Sequence, residues 1–172
     1  MRTIYLILTF VCCIIAKAET FPYRSIASFN ISPASESHCM ILDSEGMMWV
    51  GTNAGVKSYD GYHVKTYKTN AYQPGILPNN TIRSIAEDHQ DNLWLGTRNG
   101  LVRMNKRTGK FKTFFLPDES QRIIYTLFVS KDGTLWIGTD GGLSYFNSKT
   151  ETFYTYNSKN TWLIDVDGSK NR

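Results

Sequence analysis

Leu135-Trp136-Ile137-Gly138-Thr139 has two near-copies upstream, Leu93-Trp94-Leu95-Gly96-Thr97 and Met48-Trp49-Val50-Gly51-Thr52. The three tryptophans stand 45 and 42 residues apart, and their surroundings recur with them. An Asp or Gly precedes each Trp by three positions, and two variable residues after Gly-Thr lead to Gly55-Val56, Gly100-Leu101 and Gly142-Leu143. Self-similarity at a period of about 40 to 50 residues marks a repeat protein, built of propeller blades or helical arrays.

The content of one period chooses between them. Between Thr81 and Phe115 lie four short apolar segments, Ile82 to Glu87, Leu93 to Thr97, Leu101 to Asn105 and Lys110 to Phe115, each closed by a turn signal. Helices need longer runs. Asp91-Asn92, Asn99-Gly100 and Thr108-Gly109 tolerate positive φ where a meander must reverse. The expected fold is all-β: four-stranded antiparallel meanders forming β-propeller blades, about three of them plus the start of a fourth, an incomplete ring. Each Trp is expected to fill the space between neighbouring sheets, and the Gly two residues later to admit a close neighbour.

The pattern Ile-x-x-Ile-x-x-Asp, a turn, Leu-Trp-(Ile/Leu/Val)-Gly-Thr, x-x-Gly-Leu and a Phe-x-x-(Phe/Tyr) strand resembles the two-component regulator propeller repeat. The resemblance runs from about Phe21 to the end of the chain. It implies the periplasmic sensor region of a hybrid two-component system of the Bacteroides type, in which a membrane span, a histidine kinase and a response regulator follow. By the same resemblance the ligand is a glycan fragment, and the chain itself is no enzyme.

At the start, Met1-Arg2, the apolar run Ile4 to Ile15 and Ala16-Lys17-Ala18 read as a signal peptide, residues 1–18, cut after Ala18 for export to the periplasm. The run falls short of the roughly 20 residues of a spanning helix. Without the leader, 17 basic side chains face 15 acidic ones, which gives no electrostatic case for nucleic acid. Cys39 is then alone, so no internal disulfide is expected. The mature chain, 19–172, divides into repeats at about 37–67, 81–115 and 123–156, with the opening of a fourth at 160–172; Phe21 to Asn30 reads as a further strand. Repeats of this kind bury their faces against neighbours, so the expected partners are remaining blades of a longer protein, or a second copy.

Loops after Gly-Thr and loops joining successive blades share one face. Asn53, Arg98, Asn99 and Asp140 from the first set, with Tyr72 and Arg122 from the second, are therefore the expected ligand-binding residues, suited to an oligosaccharide that stacks on a ring while its hydroxyls bond polar groups. Tyr125 and Trp162 are further aromatics outside the repeat pattern. His38, His63 and His89 lie in no metal-binding spacing, and neither a Gly-x-Ser-x-Gly elbow nor a phosphate-cradling loop occurs, so no metal, cofactor or catalytic group is expected. The alternative is a fragment of a propeller-fold lyase or hydrolase, which a His or Glu pair at matched positions in these loops would favour; the three copies show none there.

Overall fold

The computed structural model describes residues 35–70, 72 and 75–156. These belong to a compact unit, Ile31–Arg172; a second unit, Met1–Asn30, lies outside the described residues, and with it the leader and the strand read at Phe21 to Asn30. The fourth repeat and Trp162 also lie outside them.

Among the described residues twelve strands form three four-stranded sheets, each an antiparallel meander in sequence order. The first holds β1 (Ser37–Leu42), β2 (Met48–Thr52), β3 (Gly55–Tyr59) and β4 (Val64–Tyr67). The second holds β5 (Ile82–Glu87), β6 (Asn92–Thr97), β7 (Gly100–Asn105) and β8 (Phe111–Phe114). The third holds β9 (Ile124–Val129), β10 (Leu135–Thr139), β11 (Gly142–Asn147) and β12 (Thr152–Tyr156), and one 3-10 turn, Glu119–Gln121, precedes it. The sheets approach each other through their first strands, β5 lying beside both β1 and β9. This is the all-β propeller architecture that the repeat implies.

The recurring motif explains its own conservation of shape within the chain. Thr52 Oγ1 donates to Gly55 O at 2.8 Å, Thr97 Oγ1 to Gly100 O at 2.8 Å, and Thr139 Oγ1 to Gly142 O at 3.0 Å, which closes each hairpin after two residues. Gly100, at φ 111°, has the backbone that such a reversal demands and that side chains resist. The motif's other glycine works between sheets: a Cβ on Gly96 would lie 2.6 Å from Ile124 Cγ2, on β9 of the next sheet.

Two cores follow from strand alternation. Trp49, on the first sheet, packs with Leu93 and Leu95 of the second. Trp94, on the other face of β6, packs with Leu135, Ile137 and Phe146 of the third, its ring centroid 5.0 Å from that of Phe146. Each of these indoles donates to a carboxylate in the turn before it, Trp49 Nε1 to Asp43 Oδ2 at 2.9 Å and Trp94 Nε1 to Asp88 Oδ2 at 2.8 Å. A buried indole N–H needs such a partner. Ser130 stands at the third corresponding position, and Trp136 lacks that carboxylate.

A polar clasp joins the first two sheets. Lys106, following β7, reaches the β1–β2 turn: Nζ donates to Glu87 Oε1 at 2.5 Å and to Asp43 Oδ2 at 3.4 Å, and its side chain is 5% exposed. Burial alone would raise the Asp43 pKa, but bonds from Trp49, Met47 and Glu45 and the charge of Lys106 outweigh it and hold the carboxyl below its usual value. Glu87 is likewise held low, burial being outweighed by Lys106 and Ser44. On Lys106 burial works against the charged form, yet Glu87 and Asp43 raise its pKa overall.

Candidate functional site

The four Gly-Thr loop residues do occupy one end of the strands. Asn53 sits exposed in the β2–β3 turn, its backbone N–H bonded to Glu36 O at 3.1 Å. Arg98 is exposed and Asn99 half-buried in the β6–β7 turn, where Arg98 N donates to Thr81 O at 3.3 Å and Asn99 N to Thr97 Oγ1 at 3.0 Å. Asp140 is exposed in the β10–β11 turn and accepts from Tyr125 Oη at 3.2 Å. Arg122 joins them through its backbone, since Gly100 N donates to Arg122 O at 2.7 Å, while its guanidinium turns to Glu119 Oε1 at 3.1 Å. Tyr72 stands apart: it is 94% exposed, and its ring meets no partner among the described residues.

A row of residues outside that set comes from the first strands of the sheets. The pairing of β1 with β2 skips between Ser37 and Cys39, that of β5 with β6 between Ile82 and Ser84, and that of β9 with β10 between Ile124 and Thr126. His38, Arg83 and Tyr125 are thus each the extra residue of a β-bulge, a feature that re-aims a side chain. The three strands are neighbours, so the bulges stand side by side at the Gly-Thr end.

The second and third of these residues interact. The Arg83 guanidinium lies over the Tyr125 ring at 4.9 Å, and the Tyr125 hydroxyl reaches Asp140. Cation–π contact and a hydroxyl-to-carboxylate bond thereby link β5, β9 and the β10–β11 turn. Arg83 Nε is buried with no acceptor among the described residues. The sequence did carry a signal for this row: His38, Arg83 and Tyr125 stand 45 and 42 residues apart, the tryptophan spacings. Their chemical dissimilarity hides them from a search for repeated letters.

The arrangement offers a guanidinium, a phenol, a carboxylate and an imidazole on a rigid scaffold. That suits binding of a polyhydroxylated or anionic group. Among the described residues no His, Cys, Asp and Glu grouping fits a metal ion. Cys39 is no ready nucleophile, because burial pushes its pKa up to about 11 against a smaller opposing effect of the Gly51 backbone bond.

The family model described as two component regulator propeller matches residues 32–54, 76–99 and 118–141. Among solved structures, the extracellular domain of a putative hybrid two component system from B. thetaiotaomicron is 22% identical with a TM-score of 0.63, the match covering 84% of this chain and 22% of that one. Virginiamycin B lyase from Staphylococcus aureus is 13% identical with a TM-score of 0.57, over 82% of this chain and 56% of the other. PorZ, a surface component of the type-IX secretion system of Porphyromonas gingivalis, is 16% identical with a TM-score of 0.56, over 73% and 21%. The chain therefore spans about a fifth of the first and last of these and just over half of the lyase, and at such identities the likeness is one of fold. Comparison with curated proteins gives no match.

Proposed function

This chain is built from repeats of the two component regulator propeller family, and from that premise we propose that it is part of the extracytoplasmic sensing propeller of a signal-transduction protein, one that binds an oligosaccharide and performs no catalysis. The observation that supports a binding site at the bulged row is above all Arg83, whose buried Nε has no acceptor among the described residues and whose guanidinium lies over Tyr125, itself bonded to Asp140. A guanidinium fixed against a ring is ordered before any ligand arrives, so little freedom is lost on binding. Saccharide hydroxyls can accept from Arg83 and Arg98 and donate to Asp140, while Tyr125 supplies an aromatic surface.

Export to the periplasm follows from the leader read at residues 1–18 and from the family's role. The lyase likeness carries no chemistry with it, since a shared propeller at 13% identity speaks to architecture alone.

Calorimetric titration of the protein against a panel of oligosaccharides tests the reading. Arg83→Ala and Asp140→Ala should each weaken binding by about 1 to 3 kcal/mol, the cost of a lost charged hydrogen bond, with little change in melting temperature. Wild-type affinity in both variants would place the site elsewhere on the blades.

A further inference from the structure

Two guanidinium groups at the Gly-Thr end of the second sheet lack a counter-charge. Arg83, the extra residue of the β5 bulge, lies half-buried over the Tyr125 ring, 4.9 Å from its centroid, and makes no hydrogen bond or ion pair among the described residues. Arg98, whose backbone N–H bonds Thr81 O close to Arg83 in the same strand, has no carboxylate within ion-pair distance among them either. Other arginines are neutralised from within. Arg103, which also lies over aromatic rings, pairs with Glu151 at 3.1 Å, and Arg122 pairs with Glu119 at 3.1 Å.

The nearby acid is engaged elsewhere. Asp140 accepts from the Tyr125 hydroxyl at 3.2 Å, at the far end of that ring, and forms no ion pair with Arg83. His38 and Tyr125, the other two bulge residues, bring no acid, so the row is cationic at Arg83 and accepting at Asp140. Of the Arg83 nitrogens, Nε is the one shut off from solvent without an acceptor, which leaves the two Nη groups as donors open to a ligand. Their parallel N–H bonds match the two oxygens of one carboxylate or sulfate, whereas a sugar hydroxyl fills a single donor and leaves the charge uncompensated. Partial burial weakens screening by water and favours an opposite charge further.

We propose that the saccharide taken by this row carries an oxyanion, a uronate carboxylate or a sulfate ester, seated on the Arg83 fork with Arg98 as the second cation. The inference rests on the oligosaccharide reading of the same site and narrows it to acidic sugars. Hydroxyls of the acidic sugar donate to Asp140, and Tyr125 between the two ends holds the plane of the fork. Charge separation along the row also fixes the direction in which the ligand lies.

The test uses the full chain and calorimetric titration at constant ionic strength. The probes are trisaccharides of galacturonate, glucuronate and mannuronate, each beside its carboxyl-reduced neutral counterpart and the sulfated form of that counterpart. An acidic probe should bind about tenfold more tightly than its neutral partner, the margin of a charge-assisted bond over a neutral one, and added sodium chloride should shrink the margin. Arg83→Gln should bring the acidic probe down to its neutral partner, with Arg83→Lys between the two because the charge stays and the fork goes. Arg98→Gln, at an exposed turn position, should reduce the margin about threefold and keeps the test decisive should Arg83→Gln melt early. Preference for the uronate would identify a carboxylate, and preference for the sulfated form a sulfate ester; both sustain the proposal. Equal binding within every pair, weakened in Arg83→Gln, would overturn the oxyanion and leave the oligosaccharide reading standing. Binding of no probe would overturn both, and an acidic preference untouched in the Arg83 and Arg98 variants would place the oxyanion elsewhere and overturn this assignment.

Discussion

At the scale of single residues, the motif Trp-x-Gly-Thr divides its work between two directions. Thr97 closes the hairpin within its own sheet, whereas Gly96 makes room for Ile124 of the next. Gly96→Ala should therefore destabilise the protein by about 1 to 3 kcal/mol in urea titrations, as overpacking of a core does. Gly138→Ala should cost less, because among the described residues the atoms nearest the added methyl there all belong to Thr126 of the same sheet. Equal losses in the two variants would show that the glycine serves its own strand and not the junction. The tryptophan and glycine roles were legible because they depend on identical letters at a fixed period. The roles of His38, Arg83 and Tyr125 were not, because a bulge is a property of pairing register, and register is set by partners on another strand.

Between elements, the clasp around Lys106 shows why long-range polar structure escapes a local reading. Lys106 sits in the turn Asn-Lys-Arg-Thr-Gly, and its acceptors lie 19 and 63 residues away. Lys106→Met removes the charge but keeps most of the stem, and leaves Asp43, whose side chain is 1% exposed, without its cation. A loss of about 3 kcal/mol is expected, since breaking a buried pair strands a charge. The pH profile separates this from lost packing. Asp43 and Glu87 have folded pKa values below their unfolded ones, so their contribution is present above roughly pH 4 and is lost as pH falls through the folded values. Lys106 is shifted up, so its share is present below its unfolded pKa and fades as pH rises through the folded one. Melting temperature measured from pH 7 downward should fall less steeply in Lys106→Met than in the wild type; parallel curves would mean that the clasp does not set the acid response.

For the whole molecule, stacking of the sheets leaves apolar side chains on faces that no described sheet covers. On the third sheet Phe128 is 63% exposed and Leu143 41%, and with Trp136, Thr126 and Gly138 they border an open groove of about 400 Å³. These residues occupy the forward face, the one through which Trp49 and Trp94 pack on the sheets that follow them. On the first sheet Met40 and Leu42 are 68% and 71% exposed on the opposite face of β1 from Cys39 and Ile41, which join the core. That the repeat stacks was readable from three aligned motifs; which faces carry the apolar surface required the strand alternation, because Trp136 has the same sequence context as its two buried counterparts. Contiguous apolar surface of this kind drives association or binds hydrophobic dyes. The full chain should sediment as a mixture of species that shifts upward with concentration in the micromolar range, and should enhance the fluorescence of anilinonaphthalene sulfonate. Placing Lys at Phe128 and Leu143 together should suppress both effects without unfolding the first two sheets, because neither residue belongs to the buried cores between them. A monodisperse, dye-silent wild-type protein would show instead that the forward face of the third sheet is covered within the chain itself.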